Sequence, residues 1–146
     1  MPIHNPNAVF APYPAELRQI ISIERARESR AWLSRWTPLI AGATPLWSLP
    51  GLAGRLGVGE LLVKDESVRS PLGSFKALGA PVALLRLVLR RFAARGFAPE
   101  GLMMGDYRRE LGEFTVISAT DGNHGRALAA AAQALGCRCV IVLHAK

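Results

Sequence analysis

The segment from Thr115 to Leu143 constrains this chain most. Thr115–Ala119 is an apolar, partly β-branched run, and the polar turn Thr120-Asp121-Gly122-Asn123-His124-Gly125 follows it. Arg126–Leu135 is rich in alanine and stops at Gly136, and Val140–Leu143 is a second apolar run. Strand, tight turn, helix and strand make a βαβ unit, whose two strands run parallel through a right-handed crossover. A parallel sheet is covered by helices on both faces and has more than two strands. The predicted class is therefore α/β, a partial parallel-sheet domain that is cut off after its βαβ unit, since the sequence ends three residues past the second strand.

Upstream, turn formers alternate with helical spacing. Residues 1–14 hold four prolines and little periodicity, and are expected as an extended arm. Between Ala15 and Trp36, Leu17, Ile20 and Ile21 fall on one helical face, which predicts one surface helix or two. Gly42–Pro50 is turn-rich and contains Thr44-Pro45-Leu46; Leu52, Ala53 and Leu56 then recur at helical spacing until Gly57. A short strand is predicted over Leu61–Lys64. Asp65–Lys76 mixes charged, Pro, Gly and Ser residues without period, as in loops that carry chemistry. Ala77–Arg95 is helix-prone and stops at Gly96. Pro81 suits only a first helical turn, so this helix is expected either to begin near Gly79 or to bend. Phe97–Glu113 shows no assignable element.

With 146 residues, half of them hydrophobic, the chain can form one domain with a core but not two. It has no apolar run of about 18 residues, and its first residues lack the order of a secretory signal, so a cytoplasmic protein without a membrane partner is expected. The net charge of +7 raises the question of nucleic acid. The arginines are scattered, however, and Arg25, Arg27 and Arg30 interleave with Glu24 and Glu28 as on a solvated helix face, so no nucleic-acid partner is expected. Cys137 and Cys139 share a face of one apolar segment, which predicts buried thiols rather than a disulfide. With His144 they are too few for a zinc site, and no metal is expected.

Two segments carry candidate chemistry. The first runs from Lys64-Asp65-Glu66-Ser67 to Ser74-Phe75-Lys76; the second is the turn at Thr120–Gly125. Taken alone, Lys76 is a helix-terminal lysine, Phe75 a core aromatic, and Asp121 an N-cap of the following helix. The turn itself is either an ordinary βα turn or an anion site, because backbone N–H groups at a helix start favour a carboxylate.

In their order, Thr44-Pro45-Leu46, Lys-Asp-Glu-Ser after a strand, Ser-x-Lys at a helix start and the Gly-Asn-His-Gly turn resemble the tryptophan-synthase-β-like, fold type II enzymes that use pyridoxal 5'-phosphate (PLP). The likeness covers roughly residues 24–143 apart from 97–113. Asp121 before that turn and Arg126 after it are similar to the diaminopropionate ammonia-lyases within the group. The resemblance implies PLP as cofactor and Lys76 as the aldimine-forming lysine, which also moves the α-proton. One of only three lysines, it can lose a proton where arginine cannot. Asn123 and Phe75 would contact the cofactor ring, while Thr120, Gly122 and His124 would hold the substrate carboxylate. Asp121 would serve as a base for one enantiomer or assist the leaving amine. Lys64, beside Asp65 and Glu66, is expected to be structural.

The implied reaction is α,β-elimination of 2,3-diaminopropionate to pyruvate and ammonia. The alternatives are a serine or threonine dehydratase-like enzyme of the same group, or a non-catalytic remnant of the fold. The resemblance further implies a homodimer for the complete enzyme, and a separately encoded C-terminal half as one source of the downstream phosphate loop and ring-nitrogen partner that this sequence lacks. The 146-residue chain alone is expected to be a poor catalyst and to self-associate.

Overall fold

The computed structural model describes residues 5–8 and 11–144. Of the expected arm, residues 1–4 and 9–10 lie outside the described residues, and Asn5–Ala8 close a turn through the Ala8 N–H to the Asn5 carbonyl. The elements that follow are a 3₁₀ turn at Ala15–Gln19, α1 (Ile23–Leu33), β1 (Leu46–Ser48), α2 (Pro50–Leu56), β2 (Leu62–Lys64), α3 (Lys76–Arg91), a 3₁₀ turn at Ala93–Arg95, α4 (Pro99–Met104), α5 (Arg108–Leu111), β3 (Thr115–Ala119), α6 (Asn123–Leu135) and β4 (Arg138–Val142). No helix among the described residues is long and apolar enough to cross a membrane.

The βαβ unit forms as its pattern requires. Strands β3 and β4 pair in parallel, Thr115 opposite Arg138 through Ala119 opposite Val142. Helix α6 covers one face of this sheet with Gly125, Ala127, Ala131, Ala132 and Leu135, all buried. Small side chains along α6 let α3 approach closely, and these two helices pack together. Val116 and Cys139 face inward at matched positions, as period two demands. Cys137 and Cys139 are free thiols, and burial pushes the Cys137 thiol up to about 11.

Several expectations change. The face expected from Leu17, Ile20 and Ile21 does not form: the 3₁₀ turn ends at Gln19, and all three side chains are exposed. The chain leaves that turn before α1, whose Ser22 caps it by accepting the Arg25 N–H. Helix α3 begins at Lys76, three residues before Gly79, and continues through Pro81, which is buried. Proline there leaves the Ala77 carbonyl without its helical donor, and burial of the ring against the core accompanies that loss. The unassigned 97–113 connection is largely helical, and Leu102, Met103 and Leu111 enter the main core with Leu84, Leu85 and Val88. The turn-rich 42–50 segment contains β1, which pairs antiparallel with β2, Leu46 opposite Lys64. Arg86 ties α3 to α1 by an ion pair with Glu28 at 3.0 Å, and Arg25 meets the same carboxylate at 3.1 Å.

Gly136 closes α6 with φ +86, and a Cβ built there would stand 2.5 Å from the Arg108 Cα. Both the backbone conformation and the approach of α5 demand glycine. Gly136→Ala is therefore expected to lower stability by about 2–4 kcal/mol, from left-handed strain plus overpacking. Urea denaturation of both proteins measures this; an unchanged midpoint would show that α5 yields freely.

Candidate active site

The loop between β2 and α3 delivers Lys76 through a series of short-range bonds. Ser70 is buried; its Oγ accepts the Leu72 N–H at 3.2 Å, and its carbonyl accepts the Gly73 N–H at 2.9 Å. Gly73 turns with φ +69, a conformation that glycine adopts without penalty. Ser74 is also buried, and its Oγ accepts the Lys76 N–H at 3.1 Å, satisfying one of the orphan donors at the start of α3. Ala77 then begins the buried face of α3, so the backbone at Lys76 is held while its side chain is exposed.

The Lys76 Nζ lies 4.7 Å from the centre of the Phe75 ring. Among the described residues no carboxylate stands within ion-pairing distance of it, because the ion pairs found there all use arginine. Phe75 is 54% exposed, so it is not a core aromatic. Lys64 differs: its Nζ donates to the Thr44 carbonyl at 2.5 Å, tying that amine to the backbone.

The second segment occupies the junction between β3 and α6. Thr120 continues the sheet with its N–H to the Val142 carbonyl at 3.1 Å, while its Oγ1 accepts the Gly125 N–H at 3.3 Å. Gly125 is needed here, since a Cβ would come 2.7 Å from the Thr120 methyl and 3.1 Å from Ile141. Asp121 does not cap the helix. Gly122 occupies the N-cap position without any side-chain cap bond, and the Asp121 carboxylate instead accepts the His144 N–H at 3.5 Å. The sheet register explains this: β4 ends at Val142 beside the turn, and the chain two residues further on presents the His144 N–H to Asp121.

Asp121, Gly122, Asn123 and His124 are all exposed, and the first turn of α6 holds no acidic residue. The N–H groups of Asn123 and His124 take no acceptor among the described residues. Two free donors at the positive end of a 13-residue helix suit a carboxylate or another anion.

Each segment is internally assembled, and the packing of α3 on α6 carries the two helix starts in one body. No hydrogen bond joins Ser74–Lys76 directly to Thr120–Gly125 among the described residues. The polar group that sequence reasoning overlooked is Arg69. Its Nε and Nη2 grip the Glu66 carboxylate at 2.8 and 3.1 Å, and with Thr44 they draw the Glu66 pKa down from 4.5 to about 2. The available signal was the i,i+3 spacing of Glu66 and Arg69, an interval that brings opposite charges together in a turn.

Residues 38–146 match the family model of pyridoxal-phosphate dependent enzymes, and the chain belongs to that family. Within it, the chain is similar to diaminopropionate ammonia-lyases. It is 41% identical over 120 residues to the one from Escherichia coli K12, covering 80% of this chain and 29% of the relative. It is 34% identical over 102 residues to the one from Salmonella typhimurium, covering 68% and 25%. The crystal structure of the E. coli enzyme with an aminoacrylate-PLP azomethine intermediate superposes with a TM-score of 0.62 at 37% identity, covering 84% of this chain and 29% of that one. The apo form gives 0.63 at 38% identity, covering 84% and 32%. The chain thus spans less than a third of the length of these relatives.

The residues present fit the family's cofactor. Lys76 offers an amine with no carboxylate paired to it among the described residues, beside an exposed aromatic ring, and Asn123 offers an exposed amide at a helix start.

Proposed function

We propose that these residues form part of the catalytic centre of a lyase that converts 2,3-diaminopropionate and water into pyruvate and two molecules of ammonia. The observation that carries this reading is Asp121. Its carboxylate is exposed at the turn and not engaged in capping α6, in a chain 41% identical to a diaminopropionate ammonia-lyase. A carboxylate beside a carboxylate site is electrostatically costly unless it handles a proton or faces an ammonium, and diaminopropionate carries a second amine that must leave.

Bound PLP supplies an electron sink for the pair of electrons left at the substrate α-carbon. Lys76 holds the cofactor and moves the proton at that α-carbon. Phe75 would pack beside the cofactor ring, and the Asn123 amide would donate to the phenolic oxygen that the ring carries. The N–H groups of Asn123 and His124 orient the substrate carboxylate at Gly122, where the missing side chain leaves room. Thr120 assists, because a hydroxyl that accepts the Gly125 N–H still has its own proton to donate. Asp121 takes the α-proton of the enantiomer whose hydrogen faces away from Lys76, or gives a proton to the departing amine.

The test is Asp121→Asn in this chain joined to the remaining length of a relative. Turnover of at least one diaminopropionate enantiomer is expected to fall by roughly 10²–10⁴-fold, the usual contribution of a positioned proton-transfer group. The borohydride-reducible link to the cofactor should persist. Turnover of both enantiomers unchanged in the variant would leave Asp121 only its bond to His144. Serine and threonine belong in the same assay, since the E. coli enzyme was also crystallised with D-serine and the chain is 32% identical to a threonine synthase of Methanocaldococcus jannaschii. Faster keto-acid release from either would make the protein a dehydratase instead.

A further inference from the structure

One polar cluster at the start of the first segment has been given no part in the chemistry. Thr44, only 6% exposed just before β1, donates its hydroxyl to Glu66 Oε1 at 2.5 Å. Arg69, besides gripping Glu66, donates through Nη1 to the Gly42 carbonyl at 3.0 Å, and its own carbonyl accepts the Ile40 N–H at 2.9 Å. The Asp65 N–H reaches the Pro45 carbonyl at 2.9 Å. Residues 40–46 and 64–69 are thereby cross-linked through both side chains and main chain, with a bidentate charged pair at the centre.

The link from Arg69 to Lys76 is short, and each of its turns is fixed locally by Ser70, Gly73 and Ser74. Local bonds set the shape of the link but not where it starts. Its far end is set by Ala77, which is fully buried in the α3 face. Its near end is tied by the cluster, where the β1–β2 ladder has already stopped at Lys64. We infer that Thr44, Glu66 and Arg69 are positioning residues for Lys76, taken here as the cofactor-holding lysine of the proposed function: they anchor the near end of the link so that Phe75 and Lys76 have one arrangement. Released at Arg69, the link pivots at Gly73 and the amine loses its fixed approach to the reacting carbon. A misplacement of about 1 Å at a reacting centre is enough to cost roughly a hundredfold in rate.

Thr44→Val removes the hydroxyl at nearly constant size, Glu66→Gln removes the charge, and Thr44→Ser keeps the donor. Amide hydrogen exchange on the chain itself reads the link without cofactor. The Gly73 and Lys76 amides are expected to exchange roughly tenfold faster in the first two variants and at the original rate in Thr44→Ser, with Leu84–Val88 unaffected. In the protein joined to a relative's remaining length, kcat should fall in the same two variants with KM nearly constant, and Thr44→Ser should restore it. Unchanged exchange at Gly73 and Lys76 would show that α3 packing alone places the lysine. Equal acceleration through Leu84–Val88 would reduce the cluster to general stability. Borohydride-trapped PLP on Lys64 of the unsubstituted protein would remove the proposed function whatever the exchange shows, so the two failures are told apart.

Discussion

Lys76→Arg is expected to abolish turnover, by roughly 10³-fold or more, in this chain joined to a relative's remaining length. Arginine keeps the positive charge and most of the length of lysine but holds its proton too firmly to act as an amine. The side chain at position 76 is exposed, so the substitution should leave the fold intact. Loss of activity with an unchanged unfolding midpoint would therefore report chemistry. The companion measurement is to incubate the unsubstituted protein with PLP, reduce it with borohydride and map the modified peptide. This sequence contributes only three lysines, at 64, 76 and 146, so peptides carrying Lys64 and Lys76 are told apart directly. A label on Lys64 would overturn the assignment; the bond from its Nζ to the Thr44 carbonyl makes that outcome unfavourable, because the amine must first leave an acceptor at 2.5 Å.

The second large effect concerns association. On the face of the β3–β4 sheet away from α6, Ile117 is 67% exposed and Val142 51%, with Val140 on the same face and Leu143 following. Parallel sheets are buried on both faces, and an unpaired apolar strand recruits other chains. Each of these side chains gains roughly 1 kcal/mol or more when covered. The 146-residue polypeptide alone is thus expected to self-associate and to release little keto acid even with excess PLP. Light scattering should show oligomers that Ile117→Lys with Val142→Lys reduces. A monodisperse, cooperatively unfolding monomer with full turnover would show that this face needs no cover.

Much of the local structure at the candidate site was legible because it is local. Ser74-Phe75-Lys76 and Thr120–Gly125 are contiguous segments whose glycines, hydroxyls and helix-starting pattern act within a few residues. The same holds for α2, which ends where Gly57 adopts φ +66, and for the stop at Gly96 with φ +64. The identity of Asp121's partner was not legible. Its spacing before the helix matched a cap, yet His144 lies 23 positions away and reaches it only through the strand register. At Pro81 only the expected start near Gly79 fails: local propensity opposes proline inside a helix, yet α3 begins at Lys76 and runs through it with the ring buried.

By itself the sequence determined the βαβ unit, its parallel pairing and the two segments of candidate chemistry, because periodicity, glycine stops and turn residues are properties of neighbours in the chain. Tertiary structure alone decided that residues 97–113 contribute core helices, that Leu17, Ile20 and Ile21 stay exposed, and that Thr44, Glu66 and Arg69 close into one cluster. These outcomes depend on which surfaces meet. A half-buried carboxylate or a core leucine is stabilised by groups 20 or more positions away, such as Glu66 by Thr44 across 22 residues, and no window of local sequence encodes that distance.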